Sequence, residues 1–415
     1  MTATILIVGG GLAGMACARY LQDAGRECQI LEASDGPGGR IRTDVHEGFR
    51  LDRGFQVFLP AYPDARQLLD YDALDLRAFE PGACIWHQGR FHTLADPLRC
   101  PHLALATLFS RLITLGDKYR TLALRCRVSR GSLDDLMHRP QVRTIDHLRE
   151  LRFSDAMISR FFMPWLRGIF LEPQLETSSR KFEFVFRMFA QGGAALPAQG
   201  MRAIPLQLAS KLKPGTLRLH TPVVRVEPGR VTLADGQTLQ SPAVVVATDR
   251  PAAARLLGES LLLRGCRSRC LYFAAPSPPR RGKLLLLNGM QDQGPVSHVA
   301  VLSEVAPSYA PPGQTLICAA IDPSEPRPAA ELEQPVRAQM SQWFGPAVTA
   351  TWRLLRCDDI AYALPAQPVA ALDPAQRSPR LAPGLLRCSD DLDLASIQGA
   401  LASGRRAAQA ILSEC

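Results

Sequence analysis

The stretch Thr4-Ile-Leu-Ile-Val-Gly-Gly-Gly-Leu-Ala-Gly14 decides how this chain folds. Its first five residues are an unbroken β-prone apolar run, as expected of a strand buried on both faces of a parallel sheet. Gly9, Gly11 and Gly14 follow at the spacing G-x-G-x-x-G. Gly9 permits a tight turn, Gly11 lets the backbone approach a diphosphate, and Gly14 lets the next helix pack against the strand. Ala13, Cys17, Tyr20, Leu21 and Ala24 then share one helical face, with Gly25 where a C-terminal cap belongs. Leu12 and Ala13 lie in the first turn of that helix, whose free N–H groups and positive dipole end favour phosphate. A second strand over residues 28–31 ends on Glu32, placed to accept hydrogen bonds from a ribose. Strand, helix, strand and terminal acid are in register, so the segment reads as a dinucleotide-binding unit. The acid disfavours a 2′-phosphate and hence NADP. NAD and FAD both remain open on these residues.

The rest of the chain limits the function classes. At 415 residues it is long enough for two domains or one elaborated fold. The 47% hydrophobic and 21% charged content is that of a packed globular protein rather than a disordered one. A net charge of +9 raises the question of nucleic acid, but only five of the 48 basic residues are lysines and the arginines are spread evenly. No basic run is interleaved with stacking aromatics, so nucleic-acid binding is not expected. Eleven cysteines without regular spacing suit a reducing compartment, and the pair Cys266 and Cys270 has no neighbouring ligands for zinc; no metal site is expected. The apolar runs are too short for a bilayer span, and no basic segment precedes an apolar one at the N-terminus, so the expected location is the cytoplasm.

A second glycine cluster, Glu32-Ala-Ser-Asp-Gly-Pro-Gly-Gly-Arg40-Ile-Arg-Thr43, breaks the tie between cofactors. Gly38 and Gly39 let another backbone segment reach the same diphosphate, and Arg40 adds a guanidinium fork. With the first motif, this resembles the flavin amine oxidase, protoporphyrinogen oxidase and phytoene desaturase superfamily, and the resemblance implies FAD. Near the other end, Ser396-Ile397-Gln-Gly-Ala-Leu resembles the family's closing helix, whose N-terminus faces the flavin pyrimidine. Just upstream the family has Gly-Asp, and here Ser389-Asp390 stands instead; the Asp role is carried to Asp390, with Asp391 as the other register. Gly54, Phe55 and Gln56 resemble the segment that brings backbone N–H groups near flavin N5 and O4. Val223 resembles the strand residue whose backbone contacts the adenine.

These motifs lie far apart, so the expected fold class is α/β: a Rossmann-like FAD domain built from residues 1–80, 196–261 and 356–415. Residues 81–195, with helical patterns at 103–115, 145–152 and 155–167, and residues 262–355, with alternating strands, are expected to form a sheet-and-helix substrate domain. Aromatic stretches at 161–170 and 182–189 read as core or as the wall of a cavity for an apolar substrate. Residues 101–115 mix Leu, Ile and Phe with Arg111 and suit either a membrane surface or an amphipathic core helix.

No cysteine sits in a recognisable flavin-attachment motif, so the FAD is expected to be non-covalent, and the resemblance implies hydride transfer to flavin N5 and reoxidation by oxygen or a quinone. The strand around residues 268–273 lacks the lysine that family amine oxidases carry, and Tyr362 has no clear mate as a flavin-flanking aromatic. The expected activity is therefore of the desaturase or protoporphyrinogen-oxidase kind, on a hydrophobic unsaturated or amine-bearing molecule. An amine oxidase, a flavin-dependent isomerase without net redox change and a lipid escort protein that has lost catalysis are the alternatives. No catalytic residue is assigned on the sequence.

Overall fold

The computed structural model describes residues 4–97, 99–260, 265–290, 294–372 and 378–413, and the elements below are those of the described residues. The opening strand Ile5–Val8 lies inside a six-stranded sheet, between Cys28–Leu31 on one side and Val244–Val246 on the other. Leu217–Arg218 extends the first side; Leu385–Arg387 and then Arg380–Ala382 extend the second. All pairings are parallel except that of the last edge strand. Ile5 and Ile7 face one core, made with the helices Leu12–Asp23 and Ile397–Leu412. Leu6 and Val8 face the other, with Val226, Val231, Ala253 and Leu256. A strand covered on both sides needs no polar face, which is why residues 5–8 read as a continuous apolar run.

The two covering helices touch backbone to backbone. A Cβ built on Gly404 meets the carbonyl oxygen of Ala13 at 2.2 Å and the amide nitrogen of Cys17 at 2.9 Å. The small residues of the closing helix let the last helix of the chain lie directly on the first. The antiparallel meander Val223–Glu227, Arg230–Leu233 and Thr238–Gln240 packs over the opposite face of the sheet.

The second sheet takes strands from both long intervening stretches. Its order is Arg353–Pro365, Gly265–Ala275, Thr315–Ile321, Val296–Val301, Leu285–Asn288, Gly82–His87 and Arg90–Ala95, antiparallel except where Leu285–Asn288 meets Gly82–His87. The helix Glu333–Phe344 covers one face through Val336, Met340 and Trp343. Tyr272, Cys270 and Cys318 on the other face join the core shared with the first domain. The helices Leu115–Ser129, Thr144–Glu150, Met163–Phe170 and Ser179–Gly192 complete this half. Strand Arg353–Pro365 carries this sheet past residue 356, so that expected boundary falls inside a strand. The boundary expected at residues 261–262 lies outside the described residues.

Residues 103–115 are not one amphipathic core helix. A short helix, Ala104–Phe109, with no buried residue is followed by a new start at Thr114. Thr114 accepts from the Asp117 amide and Asp117 accepts from the Thr114 amide, a reciprocal cap that opens Leu115–Ser129. Leu105, Leu108, Phe109, Leu115, Tyr119 and Leu122 are left at the surface.

Candidate cofactor and substrate site

The sequence motifs converge on the C-terminal edge of the parallel sheet, where open α/β sheets hold their ligands. Gly9 leaves the opening strand at φ +112°, and a Cβ there would press on the Ala247 carbonyl at 2.9 Å. A Cβ on Gly14 would lie 2.2 Å from the Gly9 carbonyl, so the helix packs on the turn only because residue 14 has none. Gly11 is different: a Cβ there meets nothing within 4 Å. Its glycine serves open space above the loop, where a diphosphate lies in folds of this kind. The helix it caps has no side-chain cap and no acid in its first turn, so its N–H groups are left for an anion.

The second glycine cluster folds onto the first. The Gly38 amide donates to the Gly10 carbonyl at 2.9 Å, and a Cβ on Gly39 would sit 3.7 Å from the Gly11 Cα. Glu32 closes the second strand, and its carboxylate accepts from the Gly10 amide at 2.6 Å and from the Ser34 amide and hydroxyl at 2.9 and 2.7 Å. Two strand ends are thereby tied; Oε1 holds both Ser34 donors, and Oε2, with only the Gly10 amide, keeps lone-pair capacity for a sugar hydroxyl. Val223 opens the meander half-buried on the same side as Val8, two residues after the Thr221 amide donates to the Glu32 carbonyl. Leu12 and Ala13 are buried in the helix's first turn, and Ile397 is the half-buried first residue of the closing helix, behind the Ser396 cap.

Arg40 and Asp390, 350 residues apart, form one ion pair at 2.5 Å. Arg40 also donates to the Ala363 carbonyl at 2.9 Å and stands 5.9 Å from the Tyr362 ring centre. Burial pulls the guanidinium pKa down most strongly, but the Asp390 charge and hydrogen bond together with Asp249 and Tyr362 outweigh it and hold Arg40 above its ordinary value. Gln56 donates to the Arg40 and Arg53 carbonyls, and the Gly54 amide donates to Asp358 at 2.8 Å. Gln56 is thereby set beside Arg40, and Gly54 beside strand Arg353–Pro365, which also carries Ala363. Asp391 instead pairs with buried Arg387 at 3.0 Å.

Several buried polar atoms in this cluster have no partner among the described residues: the Tyr362 hydroxyl, Nε and Nη1 of Arg387, and Oδ1 of Asp391. Leaving such atoms unpaired is costly, and a polar ligand along this edge satisfies them. With the open space over Gly11 and the uncapped helix, the residues fit a dinucleotide. Tyr362 joins the cluster by its contact with Arg40.

A family profile described as flavin containing amine oxidoreductase matches residues 12–412. The chain belongs to that family. It is accordingly a flavin-dependent oxidoreductase by family, and the flavin is the group this edge of the sheet fits. Carotenoid phi-ring synthase of Streptomyces griseus is 27% identical over 283 residues, which are 62% of this chain and 54% of that protein. The 15-cis-phytoene desaturase of Arabidopsis thaliana is 42% identical over 65 residues, 15% of this chain and 12% of that one. The chain thus matches about half the length of the first of these relatives and a small part of the other. A putative protoporphyrinogen oxidase from Exiguobacterium sp. 255-15 superposes with a TM-score of 0.74 at 19% identity, covering 100% of both chains. A putrescine oxidase superposes with a TM-score of 0.72 at 17% identity, covering 100% of this chain and 99% of that one. These two likenesses are of fold.

On the substrate side, three buried ionisable groups were not singled out in the sequence. Asp52 lies where the two halves meet: it accepts from Thr43 Oγ1 at 2.5 Å, the Met201 amide at 3.0 Å and the Tyr309 hydroxyl at 2.9 Å. Burial nonetheless pushes its carboxyl up to about 6. His298, on strand Val296–Val301, packs edge-on to Phe55 at 4.9 Å, and burial lowers it to about 4. Ser297 Oγ contacts both His298 Nδ1 at 2.9 Å and the Ala320 carbonyl at 3.2 Å, and the buried Nε2 has no hydrogen-bond partner among the described residues. Lys181, in helix Ser179–Gly192, is the third. A separate cleft of about 410 Å³, lined by Ile145, Ile158 and Met163 among others, includes none of the sequence-predicted cofactor residues; Met163 and Arg167 come to it from the aromatic stretch 161–170.

Proposed function

We propose that this flavoprotein is a dehydrogenase of the desaturase or protoporphyrinogen-oxidase kind, with FAD bound non-covalently and a hydrophobic, unsaturated small molecule as substrate. The supporting observation is the aromatic wall on the substrate side. Phe161, Phe162, Trp165, Phe182, Phe186 and Phe189 form a continuous set of ring contacts, with Phe162 and Phe182 fully buried and the others half-buried. The acid on that helix, Glu183, is committed to Arg139 at 2.7 Å and His147 at 3.1 Å. That leaves it a poor anchor for a cationic amine, which favours a carbon skeleton over a polyamine.

Bound flavin supplies a two-electron acceptor that takes hydride and passes the electrons to oxygen or a quinone. The chain's own part is to hold and shield. The rings orient the apolar substrate and exclude water, and the uncapped N-terminus of Leu12–Asp23 favours negative charge on the cofactor.

The exposed apolar set around Ala104–Phe109 supports a peripheral membrane contact. Leu105, Phe109, Leu115 and Tyr119 are each about 70% exposed, an arrangement that gains by entering lipid. Among the described residues no helix is long and apolar enough to cross a membrane.

The test is the visible spectrum of the purified protein before and after heat denaturation, followed by anaerobic titration with 15-cis-phytoene in vesicles, protoporphyrinogen or putrescine. A flavin spectrum released by heating and bleached by one of the first two is the expected result. A colourless protein that takes up no added FAD overturns the enzyme reading in favour of an escort protein. Bleaching by putrescine alone favours the amine oxidase, and rearrangement of phytoene without bleaching favours the isomerase.

A further inference from the structure

Lys181 is 3% exposed, yet its ammonium has no counter-ion among the described residues. Lys118 and Lys211 donate to backbone carbonyls and Lys213 pairs with Glu27. Around Lys181 Nζ, by contrast, no carboxylate or carbonyl stands within bonding distance among the described residues. Its nearest recorded contact is the Phe170 ring, 5.4 Å to the centre. The charged and titratable groups that act on it from the packed elements are Cys266, Asp390 and Glu172. Two of these are already engaged, Asp390 by Arg40 and Glu172 by the Gln174 and Thr177 amides.

The place of this lysine is fixed by two tethers. Ser178, the cap of its helix, donates its amide to the Gln367 carbonyl at 3.2 Å. The Gln367 side chain donates to the Asp393 carbonyl at 2.6 Å and accepts from the Ala395 amide at 2.8 Å, directly before the Ser396 cap of the closing helix. One turn beyond Lys181, Phe184 stacks on Tyr62 at 6.0 Å and 3°, and Ser396 lies close enough to the Tyr62 hydroxyl to act on it. The helix face carrying Lys181 and Phe184 therefore looks at the N-terminus of the closing helix, on the substrate side of the Arg40–Asp390 pair.

We propose that Lys181 is the proton acceptor of the reaction, and that the substrate class is one whose dehydrogenation releases a proton as well as a hydride. The proposal rests on the reading under Proposed function. In the step, one C–H bond breaks with its electron pair leaving as hydride to the flavin, the oxidant. The C–H bond on the adjacent carbon breaks the other way: its electron pair becomes the second bond of C=C, and its proton joins the Nζ lone pair to give ammonium. Oxidation of a neutral amine by hydride loss needs no such acceptor. Burial lowers the Lys181 pKa to about 8, which keeps a share of neutral amine near physiological pH.

The experiment uses the holoenzyme and its K181M and K181R variants, with FAD content measured first. Anaerobic flavin bleaching is followed from pH 6 to 10 with 15-cis-phytoene in vesicles, protoporphyrinogen and putrescine as separate probes. The expected result is a wild-type rate that rises with a midpoint near 8, and variants that keep FAD but bleach about 100-fold or more slowly without that limb. A second readout is independent of turnover. Lysine labelled with ¹³C at Cε gives one signal for each of the five lysines, and one should titrate near 8 and vanish in K181R. Unchanged rate and pH limb in K181M, a Lys181 signal that titrates with the other four, or bleaching by putrescine alone overturns the proposal. Failure of all three probes to bleach the wild type overturns the underlying reading, and this proposal with it.

Discussion

Gly404→Ala is the sharpest test of how the two ends of the chain close the cofactor fold. The added methyl would stand 2.2 Å from the Ala13 carbonyl oxygen, 2.9 Å from the Cys17 nitrogen and 3.0 Å from the Ala16 Cβ. The first two are backbone atoms of a buried helix and cannot swing aside, so the helices must separate by about 1 Å to restore ordinary contact. Overpacking of this kind costs about 1–3 kcal/mol, and rigid neighbours argue for the upper end. Replacing a helical glycine by alanine returns about 1 kcal/mol of propensity, leaving a net loss of about 2 kcal/mol. Gly116→Ala is the matched control. There the methyl meets the tip of Arg120 at 2.6 Å, a flexible group that can move, so only the propensity gain should remain. Urea unfolding followed by circular dichroism, together with FAD retention on gel filtration, reads both effects. A Gly404→Ala protein as stable as the wild type would refute the backbone contact described above.

Three further outcomes are expected. Gly11→Ala should fold normally but bind FAD at least tenfold more weakly, whereas Gly14→Ala should fail to fold, and far-UV spectra with FAD titration separate the two; equal behaviour contradicts the division of roles. Arg40→Met strands the Asp390 carboxylate, 4% exposed, so it should lose about 3–5 kcal/mol of stability as well as cofactor affinity, and much of that stability should return in the double variant with Asp390→Asn. Asp52 has a folded-state pKa raised to about 6 from an ordinary 3.8, so the native state binds its proton more tightly than the unfolded chain does. Its burial is free of cost below pH 4 and fully penalised above pH 6, a loss of about 3 kcal/mol as pH rises through that window. Asp52→Asn keeps an oxygen for Thr43 and Met201 and escapes the penalty. The stability gap between variant and wild type should therefore widen in the variant's favour from pH 4 to 7, and a pH-independent gap contradicts the assignment.

The cofactor half was legible because its constraints are local. Gly14 answers to the Gly9 carbonyl in the turn just before it and Gly11 to the open space over that turn, so the spacing carries most of the geometry, although Gly9 also answers to the distant Ala247 carbonyl. Arg40 and Asp390 were each readable as polar groups near a diphosphate, but their mutual ion pair spans 350 residues and leaves no mark in either neighbourhood. The substrate side is harder for the same reason. Lys181, His298 and Asp52 sit in ordinary elements and become unusual only when distant strands and helices bury them. One signal was available: Lys181 is one of only five lysines and lies among Phe182, Phe184 and Phe186. A lysine was looked for on the strand around residues 268–273, whereas this one comes from a helix. Residues 103–115 misled for the opposite reason, since periodicity reports an apolar face without saying what covers it.

The contact between Ala13 and Gly404 also orders events during synthesis. The flank of helix Leu12–Asp23 that meets Gly404 stays bare during synthesis until Ile397–Leu412 has left the ribosome. Contacts this distant in sequence form slowly. A chain cut short within the later helix would thus carry an unclosed cofactor cradle and an exposed greasy helix, both of which invite holdases and proteases. The closing helix acts in this way as a late check on the cradle, passed by chains that have made it.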